Sequence, residues 1–469
     1  MPRGLQGTAG SRRTRGAGAP AGRWQTSRVT PSPPPAALPL ARLLGHTADA
    51  VQAVRAGRSL NEALARCPAE VRPGTQALSF HALRWLGSAE VLRRGLALKT
   101  PPADIDALLL TALALLWPAG GPPYAAHTLV DQAVAAARAR APRSAGFVNA
   151  VLRRYLRERE ALVAAALREP LARFNHPGWW LDRLRADWPG QWQAIAAADN
   201  LHPPMTLRVN ARRSSVEACL RRLADAGIEA QAGGGGAIHL ERPLPVLQLP
   251  GFAAGDVSVQ DAAAQRAAPL LLGAGLPAGA RVLDACAAPG GKTAHLLELA
   301  DLDLLALDRD PARLARVDET LARLGLRAET RAGDAAAPQS WWDGRLFDAI
   351  LLDAPCTASG IVRRHPDVRW LRRAGDVAAL AATQARLLDA LWPLLKPGGR
   401  LLYATCSVFL AEGQAQIDAF LQRRADAAMA AAPPSPGHLL PLPDNDETPP
   451  GPGPSRAADG FFLALITRH

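Results

Sequence analysis

The chain has 469 residues, of which 48% are hydrophobic and 20% are charged. This length and composition are typical of a globular protein with about two to four domains. The five cysteines are an odd number spread over a long chain, which excludes a disulfide-stabilised secreted scaffold. None of them has the spacing of zinc ligands. No apolar stretch is long enough to span a bilayer, and the N-terminus has no apolar signal core. We therefore expect a cytoplasmic monomer that does not bind membranes and whose thiols are reactive rather than structural.

The net charge of +12 is unevenly distributed. Residues 1–250 hold 32 Lys and Arg against 17 Asp and Glu, whereas residues 251–469 hold 22 against 25. A basic half beside a near-neutral half indicates a polyanion partner, most simply a nucleic acid. An arginine-rich composition without such a partner is the alternative. Because Lys occurs only at positions 99, 292 and 396, Lys292 marks a place that needs a compact ammonium group.

The first two predicted segments are a basic arm and a helical domain. Residues 1–36 are rich in Gly, Ala, Arg and Pro, which predicts a disordered basic arm, with a transit peptide as the alternative. In residues 37–168, apolar residues recur at intervals of three and four, which predicts a compact all-helical domain. The predicted helix at 145–159 has a basic face that would suit RNA, although an ordinary solvated helix explains the same pattern.

A small α/β connecting module is predicted at 169–255. Alternating apolar residues at 206–210 indicate a strand, and the serine-capped segment at 215–226 has helical periodicity. A glycine turn at 233–236 then precedes a second strand. The module has no aromatic pair on adjacent strands for stacking bases, so the pattern leaves its role open.

Strands and helices alternate throughout residues 256–469. This alternation predicts a mostly parallel, doubly wound Rossmann-like sheet with its binding crevice at the carboxyl ends of the strands. The glycine turn at 286–291 and the cysteine motifs around Cys356 and Cys406 all fall at such ends. A Pro-rich loop is predicted at 433–458. The predicted strands lie at 281–284, 304–308, 328–331, 347–353 and 400–404.

The glycine turn indicates an adenosyl cofactor without a diphosphate. A phosphate-binding P-loop would need glycine at the position of Cys286, and the dinucleotide pattern G-x-G-x-x-G is absent. Asp308 ends the next strand, where a carboxylate suits ribose hydroxyls, and Asp334 ends the third, where it suits an adenine edge. S-adenosylmethionine fits this set, whereas helix capping is the simpler explanation of each Asp alone. The predicted cofactor residues are Cys286, Ala287, Ala288, Pro289, Gly290, Gly291, Lys292, Asp308, Asp334 and Asp353.

Three segments, at 284–293, 353–367 and 403–408, resemble the signature motifs of the RNA 5-methylcytosine methyltransferases of the Nop/Sun family. The helical domain in front is similar to the antitermination factor NusB. The resemblance covers residues 37–469 and points to the bacterial branch that methylates small-subunit (16S) ribosomal RNA, usually at cytosine 967. It implies a class I S-adenosylmethionine-dependent methyltransferase fold. A transfer RNA methyltransferase and a non-catalytic RNA-binding assembly factor are the alternatives.

The resemblance also implies roles for single residues. Cys406 would add to carbon 6 of cytosine, which activates carbon 5, and Cys356 would assist product release. Asp353 would contact the cytosine edge, while Lys292 would favour the thiolate or hold Asp353 in place. For any of the cysteines, a small buried core residue is the alternative.

An arginine-rich segment follows the Pro-Cys motif and contains one acid, Asp367. Its guanidinium groups would clamp RNA phosphates at the mouth of the site, with the interleaved Trp370 packing or stacking beside them. A solvated helix start is the competing interpretation. The predicted RNA-binding residues are Arg363, Arg364, Arg369, Arg372 and Arg373. Beyond Cys406, the chain departs from the usual Leu-Pro-Glu-Glu-Asn run of the family and keeps only Glu412.

Overall fold

A computed structural model describes residues 39–273, 275–442 and 458–469. The predicted basic arm at 1–36 lies outside these described residues. Within them, no helix is long and apolar enough to cross a membrane. Over the same residues, no group of three or more His, Cys, Asp and Glu side chains is arranged to hold a metal ion.

The first part of the described chain is entirely helical. Its central helix, α5, is buried from Ile105 to Leu115 and packs against the helices before and after it. A helix that is apolar on every side must lie inside a bundle, because any exposed face would leave apolar surface in water. The helices are α1 Leu40–Arg55, α2 Leu60–Ala65, α3 Arg72–Arg84, α4 Leu86–Leu96, α5 Ala103–Leu115, α6 Ala126–Arg140, α7 Ala145–Arg157 and α8 Arg159–Ala166.

A small antiparallel sheet forms the middle of the chain. Its strand order is β2-β3-β1-β4, and one helix, α12, packs against it after an N-cap at Ser215, whose hydroxyl accepts from the backbone N–H of Ala218. Three short helices precede the sheet, where the sequence predicted the module to begin. The elements are α9 Pro170–Phe174, α10 Gly178–Asp187, α11 Trp192–Ala198, β1 Met205–Val209, α12 Val216–Asp225, β2 Ala230–Ala232, β3 Ala237–Leu240 and β4 Val257–Val259.

The remainder of the chain alternates between strands and helices. Its elements are α13 Ala262–Gln265, α14 Ala267–Leu272, β5 Ala280–Ala285, α15 Gly291–Leu299, β6 Leu302–Asp308, α16 Pro311–Leu324, β7 Glu329–Ala332, β8 Phe347–Asp353, α17 Val368–Leu371, α18 Ala374–Leu391, β9 Leu395–Thr405, α19 Gln414–Arg423, β10 Ala427–Met429, β11 Gly437–Leu439 and β12 Phe461–Arg468. β11 lies inside the segment predicted to be a Pro-rich loop and pairs with β12. Residues 443–457 of that segment lie outside the described chain.

The large sheet has the order β10-β12-β9-β8-β5-β6-β7, and its strands from β9 to β7 are parallel. β12 is antiparallel to both of its neighbours in this order. Buried apolar clusters cover both faces of the sheet, as parallel strands require. The predicted Rossmann-like class is confirmed. The strand order reverses at β5 and β8, so a crevice opens at their carboxyl ends.

Candidate active site

The two cysteine motifs meet because β8 and β9 are neighbouring parallel strands. Asp353 at the end of β8 pairs with Ala404 near the end of β9, so the segments after both strands leave the sheet at one edge. There the Sγ atoms of Cys356 and Cys406 lie 3.4 Å apart. This distance allows a hydrogen bond and is much longer than a disulfide bond of about 2.05 Å. Both thiols are free.

The surroundings of Cys356 keep it protonated. Its hydrogen bond with Cys406, its burial and the nearby charge of Glu412 raise the pKa of the Cys356 thiol well above its ordinary value. Cys406 is the less buried of the two residues. Because a thiolate is the reactive form of cysteine, the pair combines a partly exposed cysteine with a neighbouring thiol that holds its proton.

An ion pair borders the two thiols. Lys292, near the start of α15, donates from Nζ to Oδ2 of Asp353 over 2.6 Å, and both side chains are mostly buried. Burial opposes the charge on the ammonium, but Asp353, with smaller contributions from Cys406 and Asp284, outweighs it and raises the pKa of Lys292. Lys292 therefore stays charged beside the reactive sulfur, where it favours negative charge.

The loop between β5 and α15 is shaped by left-handed backbone at two positions. Cys286 has φ 64° and Gly290 has φ 93°. A side chain at Gly290 would approach the backbone of Val317 in α16 to 3.0 Å, so glycine is required there for close packing. The pKa of Cys286 is raised to about 12 by burial and by three nearby aspartates, which makes its thiol unreactive at neutral pH.

Carboxylates from successive strands converge on this loop. Asp308 is almost fully buried and accepts from the backbone N–H groups of Ala288 and Asp310, each over 3.1 Å. Asp334, after β7, is exposed, and its carboxylate accepts from the backbone N–H of Ala336 over 2.9 Å. Both therefore use part of their hydrogen-bonding capacity to shape the protein and retain free lone pairs for a ligand.

Asp284 supplies a test of whether a cationic, amine-bearing cofactor fits this crevice. Its side chain is fully buried; Oδ2 accepts from the Thr293 hydroxyl over 2.6 Å, whereas Oδ1 has no partner. Burial raises the pKa of Asp284 to about 7, partly offset by the Thr293 hydrogen bond. A buried carboxylate oxygen without a donor is costly, so it fits a ligand that brings an ammonium group, as S-adenosylmethionine does.

The structure corrects the predicted phosphate clamp for two of its five arginines. Arg363 is fully buried and pairs with Asp459 over 2.6 Å. Arg369 is fully buried and donates to the carbonyls of Asn175 and Asp199, each over 2.9 Å. Neither guanidinium is accessible to an RNA phosphate, because both bind distant parts of the chain.

The other three arginines are placed differently. Arg364 is partly exposed and pairs with Asp261 and Asp459. Arg372 donates to the carbonyls of Cys356 and Thr357, so it supports the Pro-Cys loop. Arg373 precedes α18 and is exposed, and its contact with RNA stays a prediction. The interleaved Trp370 packs inward and donates from Nε1 to the carbonyl of Leu83 in α3.

The sequence did not predict the central position of Glu412. This residue was identified only as the remnant of an altered motif, yet its carboxylate is fully buried between the two cysteine loops. A signal was present: the sequence keeps an acid six residues after Cys406 where the rest of the run has changed.

Two relatives decide the family. The protein named ribosomal RNA small subunit methyltransferase B in Vibrio cholerae is 43% identical to this chain over 429 residues, 89% of this chain and 95% of that protein. Its namesake in Pseudomonas putida is 48% identical over 392 residues, 80% of this chain and 88% of that protein. The chain belongs to the RsmB family of 16S rRNA methyltransferases.

Three segments of the chain match domain families that agree with membership of the RsmB family. Residues 276–467 match the family described as 16S rRNA methyltransferase RsmB/F. Residues 176–247 match the ferredoxin-like domain of RsmF/B-like methyltransferases, and residues 43–157 match the NusB family. The small α/β module is thus a ferredoxin-like domain, and the predicted NusB-like domain is confirmed. RsmB enzymes are S-adenosylmethionine-dependent, which confirms the predicted cofactor.

Solved structures share the RsmB-type architecture. The structure of PH0851 superposes with a TM-score of 0.69 at 22% identity and covers 91% of this chain and 99% of its own. A methyltransferase homolog from Pyrococcus horikoshii gives a TM-score of 0.52 at 29% identity and covers 64% and 97%. The first likeness shows that nearly the whole described architecture, beyond the catalytic sheet, recurs in another protein.

Proposed function

We propose that this RsmB-family protein methylates carbon 5 of one cytosine in 16S ribosomal RNA, at position 967, through a covalent bond between Cys406 and the base. The observation that carries the proposal is the pair of free thiols, 3.4 Å apart, at the ends of β8 and β9. A methyltransferase acting on an oxygen or an exocyclic nitrogen has no use for a cysteine nucleophile. Carbon 5 of cytosine does, because it is too weakly nucleophilic to take a methyl group unaided.

Cys406 carries the first step. Its sulfur, as the thiolate, adds to carbon 6 of the base, and the ring becomes an enamine whose carbon 5 attacks the methyl group. The charged Lys292 favours the thiolate and fixes Asp353 through their 2.6 Å hydrogen bond. Held in this way, the Asp353 carboxylate contacts the polar edge of cytosine and orients the ring.

The cofactor residues lie beside this pair. S-adenosylmethionine, when bound, supplies a methyl group made electrophilic by a positively charged sulfonium. Asp284 and Asp308 would receive its ammonium and ribose hydroxyl groups, and Asp334 would meet the adenine edge. The loop at 286–291 would line the crevice between them.

Cys356 assists the final step. After methyl transfer, carbon 5 gives its proton to a base, most simply a water molecule, the carbon 5–carbon 6 double bond forms again, and the Cys406 sulfur leaves carbon 6 as the thiolate. Cys356 lies against that sulfur, and the raised pKa of Cys356 keeps it as a thiol in the free enzyme. It is therefore a group that stabilises the departing sulfur through its S–H.

The assignment to ribosomal RNA rests on the family and on the NusB-like domain, and position 967 rests on the resemblance of the motifs. The basic excess of residues 1–250 supports an RNA partner, because phosphate neutralisation contributes much of the affinity of such complexes.

The proposal is tested with the full chain, radiolabelled S-adenosylmethionine and unmodified 16S ribosomal RNA or transfer RNA, followed by mapping of methylated bases. We expect one 5-methylcytosine in the ribosomal RNA, at position 967. Methylation of another atom or base would contradict the proposed chemistry. Methylation of transfer RNA alone would contradict the proposed substrate and favour the transfer RNA alternative.

A further inference from the structure

Glu412 presents a carboxylate in the interior of the catalytic domain. The side chain is fully buried, at the end of a single helical turn, Leu410–Glu412, that follows the Cys406 loop. A buried carboxylate is unfavourable unless donors surround it. Here Oε1 accepts from the backbone N–H of Thr357 over 2.9 Å and from Nε2 of Gln384 over 3.2 Å. Oε2 accepts from the hydroxyls of Thr357 and Ser407.

These donors flank the two reactive sulfur atoms in the chain. Thr357 directly follows Cys356, and Ser407 directly follows Cys406. Gln384, from α18, also donates to the carbonyl of Pro355, the residue before Cys356, over 2.9 Å. A single carboxylate thus bonds to both cysteine loops and, through Gln384, to the helix behind them.

The backbone of Glu412 is fixed as well. Its carbonyl accepts from the Tyr403 hydroxyl over 2.9 Å and from Oγ1 of Thr405 over 3.2 Å, both in the strand that leads to Cys406. A second link between the loops joins the hydroxyls of Ser359 and Ser407 over 2.8 Å. Because each bond in such a network restricts the others, the carboxylate is rigidly placed.

We propose that Glu412 is a positioning residue that fixes the Cys356 and Cys406 loops relative to each other and so sets the distance between their sulfur atoms. Its importance for catalysis rests on the proposed function, because both addition and release need the two sulfurs in place. Its effect on the sulfur–sulfur distance does not, and that distance is the quantity to test.

Two substitutions of Glu412 distinguish the role of its geometry from the role of its charge. In Glu412→Gln, the length is kept, one oxygen still accepts from Thr357 N–H and Gln384, and the neighbouring hydroxyls can rotate to accept from the amide N–H₂. In Glu412→Ala, both loops lose their common partner. The buried Asp106, which pairs with Arg55 and Arg93 in the helical domain, offers a matched control, Asp106→Ala.

The experiment measures how fast the free protein forms a Cys356–Cys406 disulfide with diamide. The two thiols lose two electrons and two protons, which reduce the diazene to a hydrazine. Peptide mass spectrometry distinguishes this disulfide from pairs involving the other cysteines. We expect Glu412→Ala to slow its formation about tenfold or more, Glu412→Gln to stay within about threefold of wild type, and Asp106→Ala to leave the rate unchanged.

A folded Glu412→Ala that forms the disulfide as fast as wild type would overturn the proposal, as would an equal slowing in Asp106→Ala. If Glu412→Ala does not fold, the double variant Thr357→Val/Ser407→Ala removes both hydroxyl donors to Glu412 instead. We expect this variant to form the disulfide more slowly than wild type. A wild-type rate would overturn the proposal.

A second measurement separates this proposal from the proposed function. In methyl transfer, Glu412→Ala should lower kcat and leave the affinity for S-adenosylmethionine unchanged, with Glu412→Gln restoring most of the rate. A wild-type protein without methyltransferase activity on any RNA would contradict the proposed function, and the disulfide rates would still decide the role of Glu412.

Discussion

Lys292 is one of three lysines among 54 basic residues, and its surroundings explain why arginine has not replaced it. The ammonium lies 2.6 Å from Oδ2 of Asp353, and the side chain is only 13% exposed. A guanidinium is larger and planar, so we expect it to fit this space poorly. The sequence identified Lys292 by its rarity, and the family resemblance offered Asp353 as one of two possible partners; the fold shows the 2.6 Å bond between them.

We expect Lys292→Met to slow single-turnover methyl transfer by about a hundredfold, because the thiolate and Asp353 both lose the positive charge of the neighbouring ammonium group. Lys292→Arg should fail to restore the rate. Rates are measured at saturating RNA and cofactor, with circular dichroism to check folding. A Lys292→Met enzyme with a wild-type rate would contradict the assigned role.

Because of the buried His295 in α15, we expect the protein to lose stability as the pH falls. Burial, with the nearby Arg208, lowers the pKa of His295 from 6.5 to about 3. Because the unfolded chain takes up this proton first, the contribution of His295 to stability is constant well above pH 6.5 and falls as the pH drops towards 3.

Between pH 6.5 and 5, wild type should lose on the order of 1.5 kcal/mol more unfolding free energy than His295→Gln. Urea denaturation of both proteins at the two pH values measures the difference. Equal losses in the two proteins would show that His295 does not titrate in this way.

The arginines after Cys356 show where residue-scale prediction from sequence fails. Their spacing, with a single acid among them, indicates a surface cluster, yet Arg363 pairs with Asp459 and Arg369 with backbone carbonyls of residues 175 and 199. These partners lie far away in sequence, and no local pattern announces them. Burial of a charge depends on contacts that only the tertiary fold creates.

Among the contacts between elements, Arg208 joins the ferredoxin-like domain to α15, the helix that carries Lys292. From β1, its guanidinium binds both carboxylate oxygens of Glu298 in α15, over 2.8 and 2.7 Å. It also donates to the carbonyl of Gly291, next to Lys292, over 2.8 Å. Both charged side chains are almost completely buried. The small domain thereby fixes the helix that carries Lys292.

Arg208→Met should cost about 3–5 kcal/mol of unfolding free energy, because it leaves the Glu298 carboxylate buried and unpaired. Arg208→Met/Glu298→Leu should be more stable than Arg208→Met alone, although the bond to Gly291 stays lost. Guanidinium denaturation of the three proteins completes the comparison. Additive losses in the double variant would contradict the ion-pair account.

Element prediction succeeded where periodicity was sustained. The strand predicted at 347–353 matches β8 residue for residue. The helices α9 to α11 were missed, because segments of 5–10 residues carry too few turns for a clear period. Strand β4, at Val257–Val259, lies just beyond the predicted boundary at 255 and pairs with β1. That pairing joins residues some fifty positions apart, which alternation within a strand does not reveal.

Across the whole molecule, the segment that follows Cys356 ties the catalytic domain to the helical domain. Trp370 donates to the carbonyl of Leu83 over 2.8 Å, and the carboxylate of Asp367 accepts from the backbone N–H of Leu60 over 3.0 Å. Arg84, from α3, donates to the carbonyl of Arg363 over 2.8 Å. The NusB-like domain and the catalytic loop are therefore directly connected.

We expect wild type to unfold in one calorimetric transition and Trp370→Ala to unfold in a broader or split one, because the domains lose a partly buried side chain that joins them. Trp342→Ala, which loses a local bond to the carbonyl of Arg345 and packing inside the catalytic domain, is the control. Identical cooperativity in the two variants would contradict the proposed coupling.

The division of one reaction between the two neighbouring thiols can be tested directly by trapping the covalent intermediate. Unmodified 16S ribosomal RNA is incubated with S-adenosylmethionine and wild type, Cys406→Ala or Cys356→Ala, and denaturant-resistant protein–RNA adducts are then quantified. We expect that Cys406→Ala neither methylates nor forms an adduct, whereas Cys356→Ala accumulates one. Simple loss of activity in both variants, with no trapped adduct in either, would contradict it.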